Sequence, residues 1–125
     1  MSLIDYKVVR VIIERSDNKI LLLKRPEHSF EGGRWCLPGG KHESFDSLEQ
    51  TAVAEVREET GLTINQLTRL FQIDISHYFH TKSSKKTVQL NNESTAFEWV
   101  APNNINSYDI AFRNDIAINR WYRKK

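Results

Sequence analysis

The run from Gly40 to Leu62, GKHESFDSLEQTAVAEVREETGL, decides how this chain is read. It closes on Glu55-Val56-Arg57-Glu58-Glu59-Thr60-Gly61-Leu62. At about 100° per helical residue, Glu55, Glu58 and Glu59 share one face. Three like charges on one face repel, by roughly a few tenths of a kcal/mol for each i,i+4 pair. A divalent cation relieves that repulsion, and Mg²⁺ binds through a few carboxylates plus substrate phosphates. A solvated acidic helix face is the plainer reading of the same three residues. The helix is predicted from about Ser47 to Thr60, with Asp46 or Ser47 as N-cap and Gly61 as its stop. Ala52, Val53 and Val56 form an apolar stripe beside the carboxylates. That stripe presses the helix onto a sheet and leaves the Glu trio at the edge of a cleft.

Working outward toward the N-terminus, Leu37-Pro38-Gly39-Gly40-Lys41 leads into this stretch. Its two glycines permit backbone geometry and ligand approach barred to other residues. Trp35-Cys36-Leu37 is a short apolar segment, and Arg25 to Arg34 a polar loop. Val8 to Glu14 and Lys19 to Lys24 read as strands joined at Asp17-Asn18, a hairpin by composition. Toward the C-terminus, Leu67 to Phe79 and Thr87 to Val100 read as two longer strands linked by a polar turn from Thr81 to Lys86. Pro102 to Ser107 is a loop, and Ile110 to Tyr122 a final helix. Strands, a central helix, more strands and a last helix make a mixed α/β layered domain.

The chain has 125 residues, 39% hydrophobic and 27% charged, which fits one soluble domain spanning 1–125. No apolar run approaches the roughly 18 residues that cross a membrane, and no signal peptide is visible. The single cysteine excludes an internal disulfide and fits a reducing, cytoplasmic setting. The formal net charge of +2 is too small to imply binding to a nucleic-acid polymer.

The quoted stretch resembles the Nudix box, Gly-x5-Glu-x7-Arg-Glu-U-x-Glu-Glu-x-Gly-U, where U is a bulky apolar residue. Gly40, Glu55, Val56, Glu58, Glu59, Gly61 and Leu62 match it. Two positions depart. Asp46 stands where the pattern has its first Glu, on a shorter arm. Ala54 stands where the pattern has Arg, a side chain that would orient and partly neutralise the trio. Arg57 lies about 200° around the helix from Glu55 and cannot replace it. The resemblance implies an α/β/α sandwich with a mixed sheet and the box as a loop-helix-loop. It implies hydrolysis of a nucleoside diphosphate linked to another group, with water attacking phosphorus and Mg²⁺ (or Mn²⁺ as substitute) as cofactor. It carries metal binding to Glu55, Glu58 and Glu59, and general-base work to one of them or to Glu93, which precedes Trp99 by six residues. Arg25, Gly39, Gly40 and Lys41 become candidate phosphate contacts.

Asn114 falls where MutT-like relatives carry a residue that reads the base, and its amide offers both donor and acceptor. A place in the first turn of the last helix is the alternative. Phe30, Trp35, Tyr78 and Trp99 are either base-stacking or core residues. Tyr78 also lies near the Tyr of dinucleoside-polyphosphate relatives, whereas His77 stands near a Pro common in ADP-ribose relatives. A thiol-hydrolase reading of Cys36 finds no base-orienting arrangement; a small buried residue suits it better. The basic runs at Lys82–Lys86 and Arg120–Lys125 read as solvated ends or as steering for phosphorylated substrates. The expected function is a nucleoside triphosphate pyrophosphohydrolase of a MutT-like kind, with a small nucleotide as partner and no membrane. The alternatives are a dinucleoside polyphosphate or nucleotide-sugar pyrophosphatase, or a catalytically weak nucleotide-binding domain.

Overall fold

A computed structural model of the chain describes residues 6–43, 46–84 and 87–125. Strand β1 (Lys7–Arg15) is its axis. Around it lie β2 (Ile20–Lys24), β3 (Trp35–Cys36), β4 (Gly39–His42), β5 (Thr68–Ile73), β6 (Ser76–Ser83) and β7 (Ala96–Val100). Among the described residues they form one seven-stranded sheet in the order β3-β2-β1-β6-β5, with β4 paired to β1 and β7 to β2. β1 runs parallel to β6 and antiparallel to β2 and β4, so the sheet is mixed.

β1 alternates, and the alternation sorts the core. Val9, Val11 and Ile13 pack under helix α1 (Leu48–Thr60) with Leu21, Leu23, Ala52, Val56 and Phe79. Ile12 turns to the other face, where Ile20, Leu22, Leu37 and Tyr78 meet Ala117, Ile118 and Trp121 of helix α2 (Asn114–Arg123). The result is the expected α/β/α sandwich, since successive strand residues point to opposite faces. No helix among the described residues is long and apolar enough to cross a membrane.

Four sequence expectations are corrected. Leu67 to Phe79 is not one strand: it turns at Asp74, left-handed at φ 53°, into the β5–β6 hairpin. β6 therefore continues through Ser83, where a turn was expected; residues 85 and 86 of that expected turn lie outside the described residues. Thr87 to Val100 is strand only from Ala96. The preceding run crosses the end of α1 instead: the Gln89 N–H donates to the Thr60 carbonyl, and Val88 and Leu90 pack on the α1 side of the core. The last helix starts at Asn114, because Phe112 and Arg113 are both left-handed and Ile110 bridges Trp35. Pro102–Ser107 is a 3₁₀ turn with Pro near its start, which suits the fixed proline φ.

Candidate active site

α1 is anchored at both ends. Ser47, rather than Asp46, is the N-cap; its hydroxyl accepts from Gln50 N, and the Gln50 side chain accepts from Ser47 N, a complete capping box. Gly61 stops the helix at φ 75°, its N–H donating to the Arg57 carbonyl. The helix so fixed lays its carboxylates against β4. Gly39 N–H donates to Glu59 Oε1 at 2.8 Å. Glu55 lies over Gly40 so closely that a Cβ there would stand 1.7 Å from Glu55 Oε1. A Cβ on Gly39 would stand 1.9 Å from the Val9 carbonyl oxygen. The glycine pair therefore lets one short strand touch both β1 and the carboxylate helix.

Charge is crowded here. The Glu55 carboxyl is pushed up to about 7 by burial first, then by the hydrogen bond and charge of Glu58 and the charge of Glu93, with Arg10 opposing. Glu59 is pushed up to about 8, chiefly by burial and further by the charges of Glu55 and Glu93, against the pull of the Gly39 N–H and of Arg10. Glu58 is the exposed member of the trio, and Arg57 faces away among Glu49, Gln50 and Leu67. Among the described residues, no three His, Cys, Asp or Glu side chains form a ready metal cage.

Glu59 of the trio lines a cleft of about 320 Å³ together with Arg10, Arg25, Cys36, Gly39, Gly40 and Glu93. A larger hollow of about 480 Å³ lies beside Asn65, His80 and Lys82, and holds none of these carboxylates. Size therefore does not mark the site; the convergence of charge does. Glu93 reaches the cleft from the run before β7. Its carboxylate accepts from Asn91 Nδ2 at 2.8 Å, and its N–H returns to Asn91 Oδ1. Arg25, at the end of β2, donates through Nε to the Phe30 carbonyl at 2.7 Å.

Two expected contacts are placed otherwise. Lys41 is exposed, with its ammonium 4.4 Å from the Tyr6 ring centroid. It borders a smaller hollow with Glu43, Asp46, Ala54 and Glu55, on the outer side of the helix. Asn114 has no exposed surface. Its Oδ1 accepts from Leu37 N at 3.0 Å, and its Nδ2 donates to the Tyr78 hydroxyl at 3.0 Å. The amide that was to read a base thus ties the approach to the glycine pair onto β6 and α2. Tyr78 is core, 2% exposed, and its buried hydroxyl is pushed up by desolvation. Trp35 meets Tyr108 edge-on, Trp99 packs on the α1 side, and Phe30 stands 76% exposed. Cys36 is buried, which raises its thiol and leaves it a poor nucleophile.

Sequence reading missed Arg10. It sits mid-strand, 9% exposed, and β1 pairs it directly across from Gly39. A signal existed: one cation inside the β-branched run Val8-Val9-Arg10-Val11-Ile12-Ile13. A long side chain charged at the centre of a buried strand is rare unless something pairs it.

The NUDIX domain model matches residues 6–122. The chain is 36% identical over 113 residues to the CTP pyrophosphohydrolase of Escherichia coli K12, covering 84% of this chain and 82% of that one. Over a shorter span of 51 residues it is 51% identical to the ADP-ribose pyrophosphatase of Methanocaldococcus jannaschii, 41% of this chain and 29% of that protein. The crystal structure of the MutT protein from Methanosarcina mazei superposes with a TM-score of 0.81 at 26% identity, covering 95% of this chain and 94% of that one. The fold and the carboxylate helix define a Nudix-type phosphoanhydride site, and the chain belongs to the Nudix domain family. It is a Nudix hydrolase.

Proposed function

We propose that this chain hydrolyses a nucleoside triphosphate to the monophosphate and pyrophosphate with Mg²⁺. The observation that carries the reading is the meeting of Glu59 and Glu93 with Gly39, Gly40 and Arg25 in one cleft, with Glu55 set over Gly40 and coupled to Glu58 and Glu93. The donor set suits a hard cation. Two carboxyls are pushed up by burial and by each other, a condition that a bound divalent ion reverses. Too few side chains converge for a cage, and Mg²⁺ characteristically leaves positions for water and phosphate oxygens. Glu55, Glu58 and Glu59 would hold it, and Mn²⁺ would substitute. When bound, the ion supplies charge neutralisation and a more acidic water.

The chain's own residues do the rest. Gly39 N–H fixes Glu59, and Glu58 braces Glu55. Glu55 and Glu93 are the bases we assign for taking the water's proton, Glu93 being held in place by Asn91. Arg25 and the glycine backbone meet the phosphates. Phosphoryl transfer needs this positioning more than a covalent nucleophile.

Similarity to the CTP pyrophosphohydrolase runs along most of the chain, whereas the stronger identity to the ADP-ribose enzyme covers under half of it. The longer match takes in most of the chain outside the carboxylate helix as well, and so supports a triphosphate substrate. Nucleotides of each base, ADP-ribose and a dinucleoside tetraphosphate should be incubated with Mg²⁺ while phosphate and pyrophosphate release is followed. Pyrophosphate from a triphosphate is the expected result. Glu58→Gln should lower that turnover by roughly a hundredfold or more, as loss of a charge-stabilising contact does. Full activity in Glu58→Gln, or with EDTA present, overturns the metal-hydrolase reading. Binding without turnover would make the chain a nucleotide sensor instead.

A further inference from the structure

Arg10 is incompletely hydrogen-bonded among the described residues. Its Nη1 donates to the Leu37 carbonyl at 3.0 Å, while its Nε is covered and has no hydrogen-bond acceptor among the described residues. A buried guanidinium that leaves donors unmatched is costly, and native structures rarely keep one without use. Arg10 forms part of the cleft wall. By strand alternation it shares the face of Ile12, toward α2, and not that of Val9 and Val11 beneath α1.

Its surroundings there are aromatic. The Arg10 and Arg25 guanidinium carbons each lie 4.6 Å from the centroid of the Phe112 ring. Phe112 stacks on Phe30 at 6.3 Å with 23° between the planes, and Phe30 is 76% exposed. Phe112 and Arg113 are left-handed at φ 58° and 55°, a conformation that costs side-chain-bearing residues. Glu31 Oε1 accepts from the Phe112 N–H at 3.3 Å and helps hold it there. Phe112 is thus held strained against two arginines of the cleft wall, and strain kept by surrounding contacts is characteristic of binding sites.

We propose that Arg10 is a specificity residue: with the Phe30–Phe112 pair it receives the nucleobase, its guanidinium meeting the base's acceptor edge. This rests on the nucleotide reading given above. Flat rings and guanidinium planes stack on a flat heterocycle, and the guanidinium fork matches two acceptors on one base edge.

Arg10→Lys keeps the charge and removes the fork. Its KM for the best nucleoside triphosphate should rise by roughly tenfold or more, with kcat nearly unchanged, as loss of a bidentate base contact implies. Inhibition by inorganic tripolyphosphate, which has no base, should not change. An equal KM rise for all four bases, or a parallel weakening of tripolyphosphate inhibition, overturns the proposal and makes Arg10 a phosphate or structural cation. If Arg10→Lys does not fold, the wild-type protein decides: ribose 5-triphosphate should be a much poorer substrate than the best nucleotide, and equal kcat/KM overturns the proposal. If the wild type hydrolyses no triphosphate, the hydrolase reading fails separately. Calorimetric binding of α,β-methylene nucleotides to wild type and Arg10→Lys then judges Arg10 by the same comparison.

Discussion

Glu59→Gln should flatten the pH dependence of stability in the metal-free protein. Glu59 is 8% exposed, and its carboxyl is pushed from an ordinary 4.5 up to about 8. Burial is the chief cause, and the charges of Glu55 and Glu93 add to it. A raised carboxyl stabilises the fold only while it holds its proton. Its contribution is complete below the unfolded value near 4.5 and is lost as pH rises toward 8. At about 1.4 kcal/mol per pH unit the loss totals roughly 4 to 5 kcal/mol. That is about a third or more of a typical net stability. For a domain of this size each kcal/mol moves the midpoint by about 4 °C. The wild-type Tm in EDTA should therefore fall by roughly 15–20 °C between pH 5 and 8.5, with Glu55 steepening the drop. Gln keeps the acceptor for the Gly39 N–H and cannot ionise, so most of the drop should vanish. His77, pushed down by burial, works in the opposite direction in both proteins and cancels in their difference. Thermal unfolding by circular dichroism at half-unit pH steps reads the effect. Mg²⁺ should restore more at pH 8 than at pH 5.5, since cation and proton compete for the same oxygens. A flat or rising wild-type Tm across this range, or an unchanged slope in Glu59→Gln, would refute the reasoning.

Gly40→Ala should cut kcat sharply while the protein stays folded, because the new methyl displaces the flexible end of Glu55 rather than backbone; steady-state kinetics beside a melting curve checks it, and an unchanged kcat would show that Glu55 works from elsewhere. Ala54→Arg should be tolerated and raise the rate, since position 54 is exposed and borders the hollow beside Glu55; a folded variant with a flat or lower rate would mean that another group already supports the trio. Asn114→Ala should destabilise by roughly 2–4 kcal/mol, because it orphans the buried Leu37 N–H and the Tyr78 hydroxyl. Its loss in kcat/KM should be similar for every base; a loss confined to one base in a stable variant would restore the base-reading role.

The central helix was legible because local signals agreed: a capping Ser47, an apolar stripe, three carboxylates in phase and a terminal Gly61. The glycine approach was legible for a similar reason, as Gly39 and Gly40 have no substitute where three elements touch. The β5–β6 hairpin was not, because its turn rests on Asp74 and Ile75, with no Gly, Pro or Asn to interrupt an apolar run. The start of α2 was hidden in the same way: nothing in Ala111-Phe112-Arg113 announces two left-handed residues. Asn114 could be placed near the helix start but not given its partners, since Leu37 and Tyr78 are distant in sequence. Arg10 was visible as an oddity, yet its meaning depends on the pairing with Gly39, which only the folded sheet provides.

The parallel pairing of β1 with β6 has a kinetic consequence. Val8 meets Ser76 and Arg15 meets Ser83, so the two central strands join segments roughly seventy residues apart. Closing so long a loop is entropically slow, and it precedes the reward of the contacts. The cleft needs β1 in place, since Arg10 pairs with Gly39 and Gly39 anchors Glu59. The carboxylate helix can form early from local signals, but its side chains meet their ligand geometry only when the sheet closes. A cation thus has little to grip in the early chain; added during refolding, it should slow the unfolding limb and leave the folding limb nearly unchanged.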